Sequence, residues 1–285
     1  MNYSPDKRYY YNDSEYINYT VIGSGDTTLV MLHGFGASLQ NWRDISSSLI
    51  KEGIKLLMVD LKGSGFSSKP NESNYSMVEH ARIVQSLIEE LALKKYFILG
   101  HSFGGGVALL STIQSLKSEN SSVPKGIILL DAAVYKTELP FFVNYVRIPI
   151  IGNLILNLLS ADYQAKYTLN KIFFDKQKVT PELINRYSFF IQMDGYSDAL
   201  IQTADQIIPN NFNEYTDFYK NINLKTLIIW GKQDPALPPS SGEKLSKEIK
   251  NSKFIIIDKC GHNPQEEQPI IVADYIIKFI KEIEE

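Results

Sequence analysis

Residues 94–111 read KKYFILGHSFGGGVALLS, and this stretch decides the fold. An apolar and aromatic run ends in Gly100-His101-Ser102-Phe103-Gly104, and Gly105 and Gly106 follow before an apolar helical pattern begins. One hydroxyl among four glycines at a strand-to-helix corner is G-x-S-x-G in the setting that a nucleophile elbow requires. A serine at such a corner takes a strained backbone conformation that lifts its Oγ above the sheet. Glycines two residues to either side keep side chains from colliding across the turn, and the next two let the helix pack closely on neighbouring strands. The helix N-terminus brings a partial positive charge and free N–H groups beside the serine. The pattern alone is only moderately specific, so the weight falls on the partners of Ser102.

Outward from this corner the chain alternates between strands and helices. YINYTVIG (16–23) is rich in β-branched and aromatic residues, and TTLVMLHG (27–34) and IKLLMVD (54–60) are apolar runs of buried strands. Met77, Ala81, Val84, Ile88 and Leu91 mark a helix face within 75–93. KYFILG (95–100), KGIILLD (125–131), KTLIIWG (225–231) and KFIIID (253–258) read as strands, with helices over 103–116, 241–250 and 269–283. This rhythm predicts an α/β fold, a mostly parallel central sheet with helices on both faces. The interval from about 136 to 215 breaks it: there is no convincing buried strand, and one helix starts at an N-cap, Thr180, followed by Pro181. The expected organisation is a core of 1–135 and 216–285 with a helical cap at 136–215 placed over the strand ends, where ligands bind in parallel sheets.

A serine hydroxyl needs a base to take its proton, and the base needs an orienting acid. Of four histidines, His262 lies in Cys-Gly-His-Asn-Pro just after the last strand, and Asp234 lies in Gly-Lys-Gln-Asp-Pro just after the preceding one. Ser102, Asp234 and His262 therefore fall on one edge of the sheet, as a candidate triad. Asp131, which ends the strand before the cap, is the competing acid. His33-Gly34-Phe35-Gly36 ends the LVML strand, so the backbone N–H of Phe35, with that of Phe103, is the candidate oxyanion hole. His33 reads as a local shaping residue of that turn, His101 as packing beside the elbow, and His80 as a mid-helix residue. None has a histidine partner at metal-ligand spacing, so no metal site is expected. Asp60 reads as a structural carboxylate accepting loop N–H bonds. Gly23-Ser24-Gly25 and Gly63-Ser64-Gly65 lack the spacing of nucleotide-binding loops and read as turns.

From about Tyr16 onward the sequence resembles the α/β-hydrolase superfamily, in the capped group that includes carboxylesterases, carbon–carbon bond hydrolases and cofactor-free haloperoxidases. The resemblance rests on HGFG (33–36), DLKGSGFS (60–67), GHSFGG (100–105), GKQDP (231–235) and GHNPQEEQP (261–269). The order serine, acid, histidine is that of the superfamily; some of its members place the acid where Asp131 stands. Haloalkane dehalogenases and epoxide hydrolases are similar but carry an aspartate at the position of Ser102. The resemblance implies no metal or organic cofactor, and water and a small molecule as the reacting partners.

The remaining properties bound the setting. The net charge of −3 offers no electrostatic reason for a nucleic-acid or anionic-membrane partner. A single cysteine, Cys260, excludes an intrachain disulfide and fits a reducing compartment. The amino terminus, MNYSPDKRYYYNDSEY, has no apolar segment of a secretory signal, and the greasiest stretch, IPIIGNLILNLL (148–159), is too short to span a bilayer. A cytoplasmic protein is expected. Phe141, Phe142, Ile148, Ile150, Ile151, Leu154, Ile155, Leu158 and Leu159 are candidates for lid packing or for an apolar substrate pocket, with an interfacial lipase lid as a third reading. The expected activity is hydrolysis of a small, largely apolar carboxylic ester through an acyl-enzyme. Alternatives are carbon–carbon bond hydrolysis, whose enzymes often resemble G-N-S-x-G where this chain has His101, perhydrolysis or haloperoxidation, and a receptor-like binding protein with little turnover.

Overall fold

The computed structural model describes residues 4–119, 121–136, 141–148, 152, 156–208 and 212–285. The strands are β1 (Lys7–Tyr10), β2 (Tyr16–Ile22), β3 (Thr28–Leu32), β4 (Lys55–Val59), β5 (Tyr96–His101), β6 (Gly126–Leu130), β7 (Lys225–Gly231) and β8 (Ser252–Ile257). They form one sheet in the order β1-β2-β4-β3-β5-β6-β7-β8, antiparallel at β1/β2 and β2/β4 and parallel from β4 onward. Among the helices of the core are α1 (Arg43–Lys51), α2 (Met77–Glu90) and α3 (Phe103–Lys117). Between β6 and β7 come α4 (Phe141–Val146), α5 (Ala161–Ile172), α6 (Pro181–Ile191), α7 (Tyr196–Gln206) and α8 (Phe212–Thr216). The chain closes with α9 (Pro239–Glu248), α10 (Pro264–Glu267) and α11 (Pro269–Glu284).

The apolar runs of the parallel strands are explained by burial on both faces. Val30, Leu32, Ile98, Ile127, Leu129 and Ile228 point into one layer with α2, α3 and α9. Their neighbours Leu29, Met31, Phe97, Leu99, Ile128, Leu130, Leu227 and Ile229 point into the other with α1 and α11. A strand with water on one face would alternate apolar and polar; these cannot, because successive side chains enter two different cores. Several elements had no counterpart in the sequence expectations, β1, α1 and α10 among them. β1 is a short, largely exposed edge strand that pairs with β2 and packs Tyr9 against the core, and α1 buries just one narrow face through Ile45, Ser46 and Leu49.

The parallel register carries Leu32, His101, Leu130, Gly231 and Ile257 to one edge of the sheet, so the loops after β3, β5, β6, β7 and β8 meet there. Among the described residues between β6 and β7 there are helices and no strand. Thr180 caps α6 as its sequence suggests, its Oγ1 accepting from the Leu183 N–H at 3.2 Å, with Pro181 in the first turn. No described helix is long and apolar enough to cross a membrane.

Candidate active site

Ser102 stands between β5 and α3 with φ +52° and ψ −120°, a conformation that side chains rarely adopt. The surroundings over-determine it. Its N–H donates to the Leu130 carbonyl at 2.9 Å, and its own carbonyl accepts from Gly105 and Ala133, both at 2.9 Å. The flanking glycines are required by close approach: a Cβ on Gly100 would lie 2.2 Å from the Gly104 carbonyl oxygen, and one on Gly104 the same distance from that of Leu32.

The loops after β7 and β8 bring two more side chains to the serine. His262 Nε2 lies 2.9 Å from Ser102 Oγ, and His262 Nδ1 lies 2.8 Å from Asp234 Oδ2. Asp234 Oδ1 also accepts the N–H groups of Ala236 at 2.7 Å and Leu237 at 3.0 Å, which fixes the carboxylate. In the neutral ring this chain requires the proton on Nδ1, given to Asp234, and a lone pair on Nε2 facing the serine O–H. Burial opposes ionisation of Asp234, but His262 and the donors around it outweigh that and hold its carboxyl below the ordinary range. Ligating atoms of Asp131, Asp234 and His262 lie within 4.8 Å of one another. Both imidazole nitrogens are engaged by protein hydrogen bonds, the pattern of a proton relay and not of a cation site.

The other histidines are buried and neutral. His33 Nδ1 lies 2.8 Å from the Gly34 carbonyl and Nε2 accepts the Leu61 N–H at 3.0 Å, and burial lowers its pKa to about 4. His101 Nε2 lies 2.7 Å from the His262 carbonyl and supports the loop of the candidate base; burial, with the neighbouring His262, takes its pKa to about 3. Asp60 accepts from Leu39 and Phe66 N–H and from Asn18 Nδ2, the structural role its sequence context suggests. Cys260 is fully buried, and burial pushes its thiol up, so it is a packing residue.

Phe35 is the second residue of a turn closed by the Ala37 N–H on the Gly34 carbonyl at 3.2 Å, with Gly36 at φ +67° as the third position demands. The N–H of Phe35 is left out of that bond, and the N–H of Phe103 belongs to the first turn of α3, where no intrahelical acceptor exists. Phe35 and Ser102 both line a cavity of about 540 Å³. The core adds further residues, Ala37, His262 and Asn263 among them, and the rest of the wall comes from the helical insertion, including Leu156, Leu159, Tyr163, Leu169, Ile172, Ile191 and Leu200. No lysine or arginine is among the described lining residues. Of the candidate lid residues, Leu159 lines the cavity while Ile148 and Leu158 are exposed. Ile150, Ile151, Leu154 and Ile155, and the side chains of Phe141 and Phe142, lie outside the described residues.

The sequence reading missed how the insertion is fastened. The His262 N–H donates to the Ile172 carbonyl at 2.9 Å, and Glu267 accepts the N–H groups of Phe174 and Gly261, both at 2.8 Å. From α6, Arg186 reaches Asp44 at 2.8 Å and Glu266 at 3.3 Å, while the Tyr187 hydroxyl donates to Glu266 at 2.6 Å. Burial, partly offset by Arg186, raises the Glu266 carboxyl to about 7. The paired glutamates of GHNPQEEQP were the available signal, two carboxylates directly after the candidate base. Their partners on the insertion lie 79 or more residues away.

Comparison with known proteins agrees with this architecture. The sequence model of the family described as the alpha/beta hydrolase fold matches residues 27–269. The chain is 28% identical over 258 residues to the uncharacterized hydrolase YugF of Bacillus subtilis, covering 90% of this chain and 91% of that protein. It is 27% identical over 273 residues to 2-hydroxy-6-oxononadienedioate/2-hydroxy-6-oxononatrienedioate hydrolase 1 of Pseudomonas putida, covering 93% and 91%. Among solved structures, a thermophilic esterase from Thermogutta terrifontis superposes with a TM-score of 0.78 at 21% identity, over 98% of this chain and 99% of that one, a likeness of fold.

Proposed function

The chain belongs to the α/β-hydrolase fold family and is a hydrolase, and on that premise we propose that it cleaves a small, uncharged, largely apolar carboxylic ester by way of an acyl-enzyme. Ser102 Oγ attacks the ester carbonyl carbon as His262 Nε2 takes its proton. Asp234 holds the ring and stabilises the imidazolium. The N–H groups of Phe35 and Phe103 receive the oxyanion. The tetrahedral intermediate collapses, the alcohol leaves with the proton from His262, and water activated by the same ring releases the acid. Losing one oxyanion donor in such a site costs about 3–4 kcal/mol. Residues 136–215 act as a cap over the core of 1–135 and 216–285. The same reading gives a cytoplasmic setting, in keeping with one buried cysteine.

The observation that carries this reading is the unbroken hydrogen-bond chain from Ser102 through His262 to Asp234, opening on an apolar cavity. The second reading, carbon–carbon bond hydrolysis of a vinylogous diketone, is favoured by the Pseudomonas putida relative. The dioate in that relative's name carries two carboxylates. A carboxylate buried against this cavity's described walls would meet no lysine or arginine, which is costly. The ester reading is preferred on that ground.

The test is hydrolysis of nitrophenyl esters of increasing acyl length by wild type and Ser102→Ala, with fluorophosphonate labelling of both. The expected loss is several orders of magnitude, on the order of 10⁶ for a well-assembled triad. Labelling should vanish with the hydroxyl. Equal slow turnover by both proteins refutes the esterase reading. Labelling of Ser102 without ester turnover would then favour the diketone reading, and slow labelling with tight ligand binding a receptor-like protein.

A further inference from the structure

We propose that Asp131 is a positioning residue: a neutral carboxylic acid whose O–H hydrogen-bonds to the Asp234 carboxylate. The inference deepens the proposed reaction and rests on that reading of Ser102, His262 and Asp234.

Asp131 is the first residue after β6 and is completely buried, with φ +43°. Aspartate tolerates the left-handed region better than most residues, but such a conformation persists only where the surroundings hold it. Here they do: its N–H donates to the Ile229 carbonyl at 3.0 Å, and its Oδ1 accepts the Gly231 N–H at 2.9 Å. The side chain is thereby locked to β7, whose following loop carries Asp234. The second oxygen, Oδ2, has no donor among the described residues. A buried carboxylate oxygen without a donor is costly. The same atom as a protonated O–H has an acceptor close by, because carboxylate oxygens of Asp131 and Asp234 lie within 4.8 Å of each other and the two side chains interact electrostatically.

Two carboxyls this close share one proton, since neither carboxylate can donate to the other. The donors decide which one holds it. Asp234 receives His262 Nδ1–H and the N–H groups of Ala236 and Leu237, whereas Asp131 receives only that of Gly231. The titratable groups facing Asp131 are Asp234 and His262, with Glu267 and the Cys260 thiol beyond them. Burial first, and Asp234 second, push the Asp131 carboxyl well above the ordinary range. Its O–H completes the hydrogen-bond shell of Asp234 and spreads the negative charge that faces the imidazole.

Removal and rescue test the proposal. Asp131→Gly deletes the O–H without straining the positive φ. It should lower kcat for the nitrophenyl ester, on the order of 10²-fold for a misplaced catalytic group. It should also move the acidic limb of the kcat/KM profile to higher pH, because Asp234 becomes a stronger partner for the imidazolium. Asparagine accepts a positive φ, its carbonyl can take the Gly231 N–H, and its amide can donate to Asp234. Asp131→Asn should therefore recover most of the lost kcat and return the limb to its wild-type position. Were Asp131 an anion, the same change would remove a negative charge beside the ring and lower the limb by about one to three pH units. That result overturns the proposal. A second readout does not depend on turnover. With ¹³C-carboxyl aspartate, the wild-type minus Asp131→Asn infrared difference at pH 7 should contain the carbonyl stretch of a protonated carboxylic acid; a carboxylate band in its place refutes the proposal. Ester hydrolysis unaffected by Ser102→Ala would defeat the esterase reading and leave this spectrum to decide the protonation state.

Discussion

Acidification should weaken the fold through His80, and His80→Leu should remove about 2 kcal/mol of that weakening between pH 7.5 and 5.0. His80 lies in α2 at 2% exposure, its ring edge-on to Phe103 at a centroid distance of 5.1 Å. Burial, reinforced by the Lys62 ammonium and by His33, lowers its pKa from 6.5 to about 3. The unfolded chain therefore binds more protons than the folded one between those values. Stability from the neutral ring is complete above the unfolded pKa of about 6.5 and is lost progressively as the pH falls below it. Each unit is worth about 1.36 kcal/mol, so the 1.5 units down to pH 5.0 amount to about 2.0 kcal/mol. The figure does not depend on the folded pKa provided that this lies well below 5. His33 and His101 act in the same direction. Asp60 and Glu266, raised by burial to about 6 and about 7, act in the opposite one, since they bind protons more tightly when folded. All of these cancel in the comparison of wild type with His80→Leu. The assay is urea unfolding of both proteins at the two pH values, followed by fluorescence of the buried Trp42 and Trp230. Equal losses of stability in the two proteins would refute the argument that His80 is held neutral.

Gly104→Ala should cost at least about 3 kcal/mol and abolish fluorophosphonate labelling of Ser102, because the new Cβ meets backbone oxygens of Leu32 and His33 at 2.2 and 2.4 Å. Thermal unfolding with labelling of the residual folded fraction checks it. Arg186→Met should cost about 3–5 kcal/mol at pH 8, since it strips the cation from the buried Glu266 and leaves Asp44 unpaired. The loss should shrink below pH 7 as Glu266 takes up a proton, which urea unfolding at pH 8 and pH 6 would register.

Much of this molecule was legible in the order of its residues, for local reasons. Continuous apolar runs such as TLVML and GIILL can only be strands covered on both faces, and the 3–4 spacing of Met77, Ala81, Val84 and Ile88 can only be a helix face. Four glycines around Ser102 announce a corner too tight for side chains. Once the strands are parallel, Ser102, Asp131, Asp234 and His262 must share an edge, because each follows a strand at its carboxyl end. β1 escaped the sequence reading because it is only four residues long and largely exposed, so the pairing with β2, and not its own pattern, makes it a strand.

Other features exist only once distant segments meet. Asp131 and Asp234 sit equally well after their strands; a 2.8 Å approach to His262 Nδ1 gives the ring to Asp234 and leaves Asp131 facing the other carboxyl. Arg186 reads as an ordinary polar position of a helix until folding sets it between Asp44 and Glu266, 142 and 80 residues away. The cavity wall is likewise a matter of which turn of α5, α6 or α7 faces Ser102, and helical periodicity does not tell a side chain that faces the core from one that faces a bound molecule. Sequence patterns encode the period and the ends of each element through short-range sterics and hydrophobicity. The identity of the partner across a contact depends on the packing of all elements together, so the tertiary structure alone decides it.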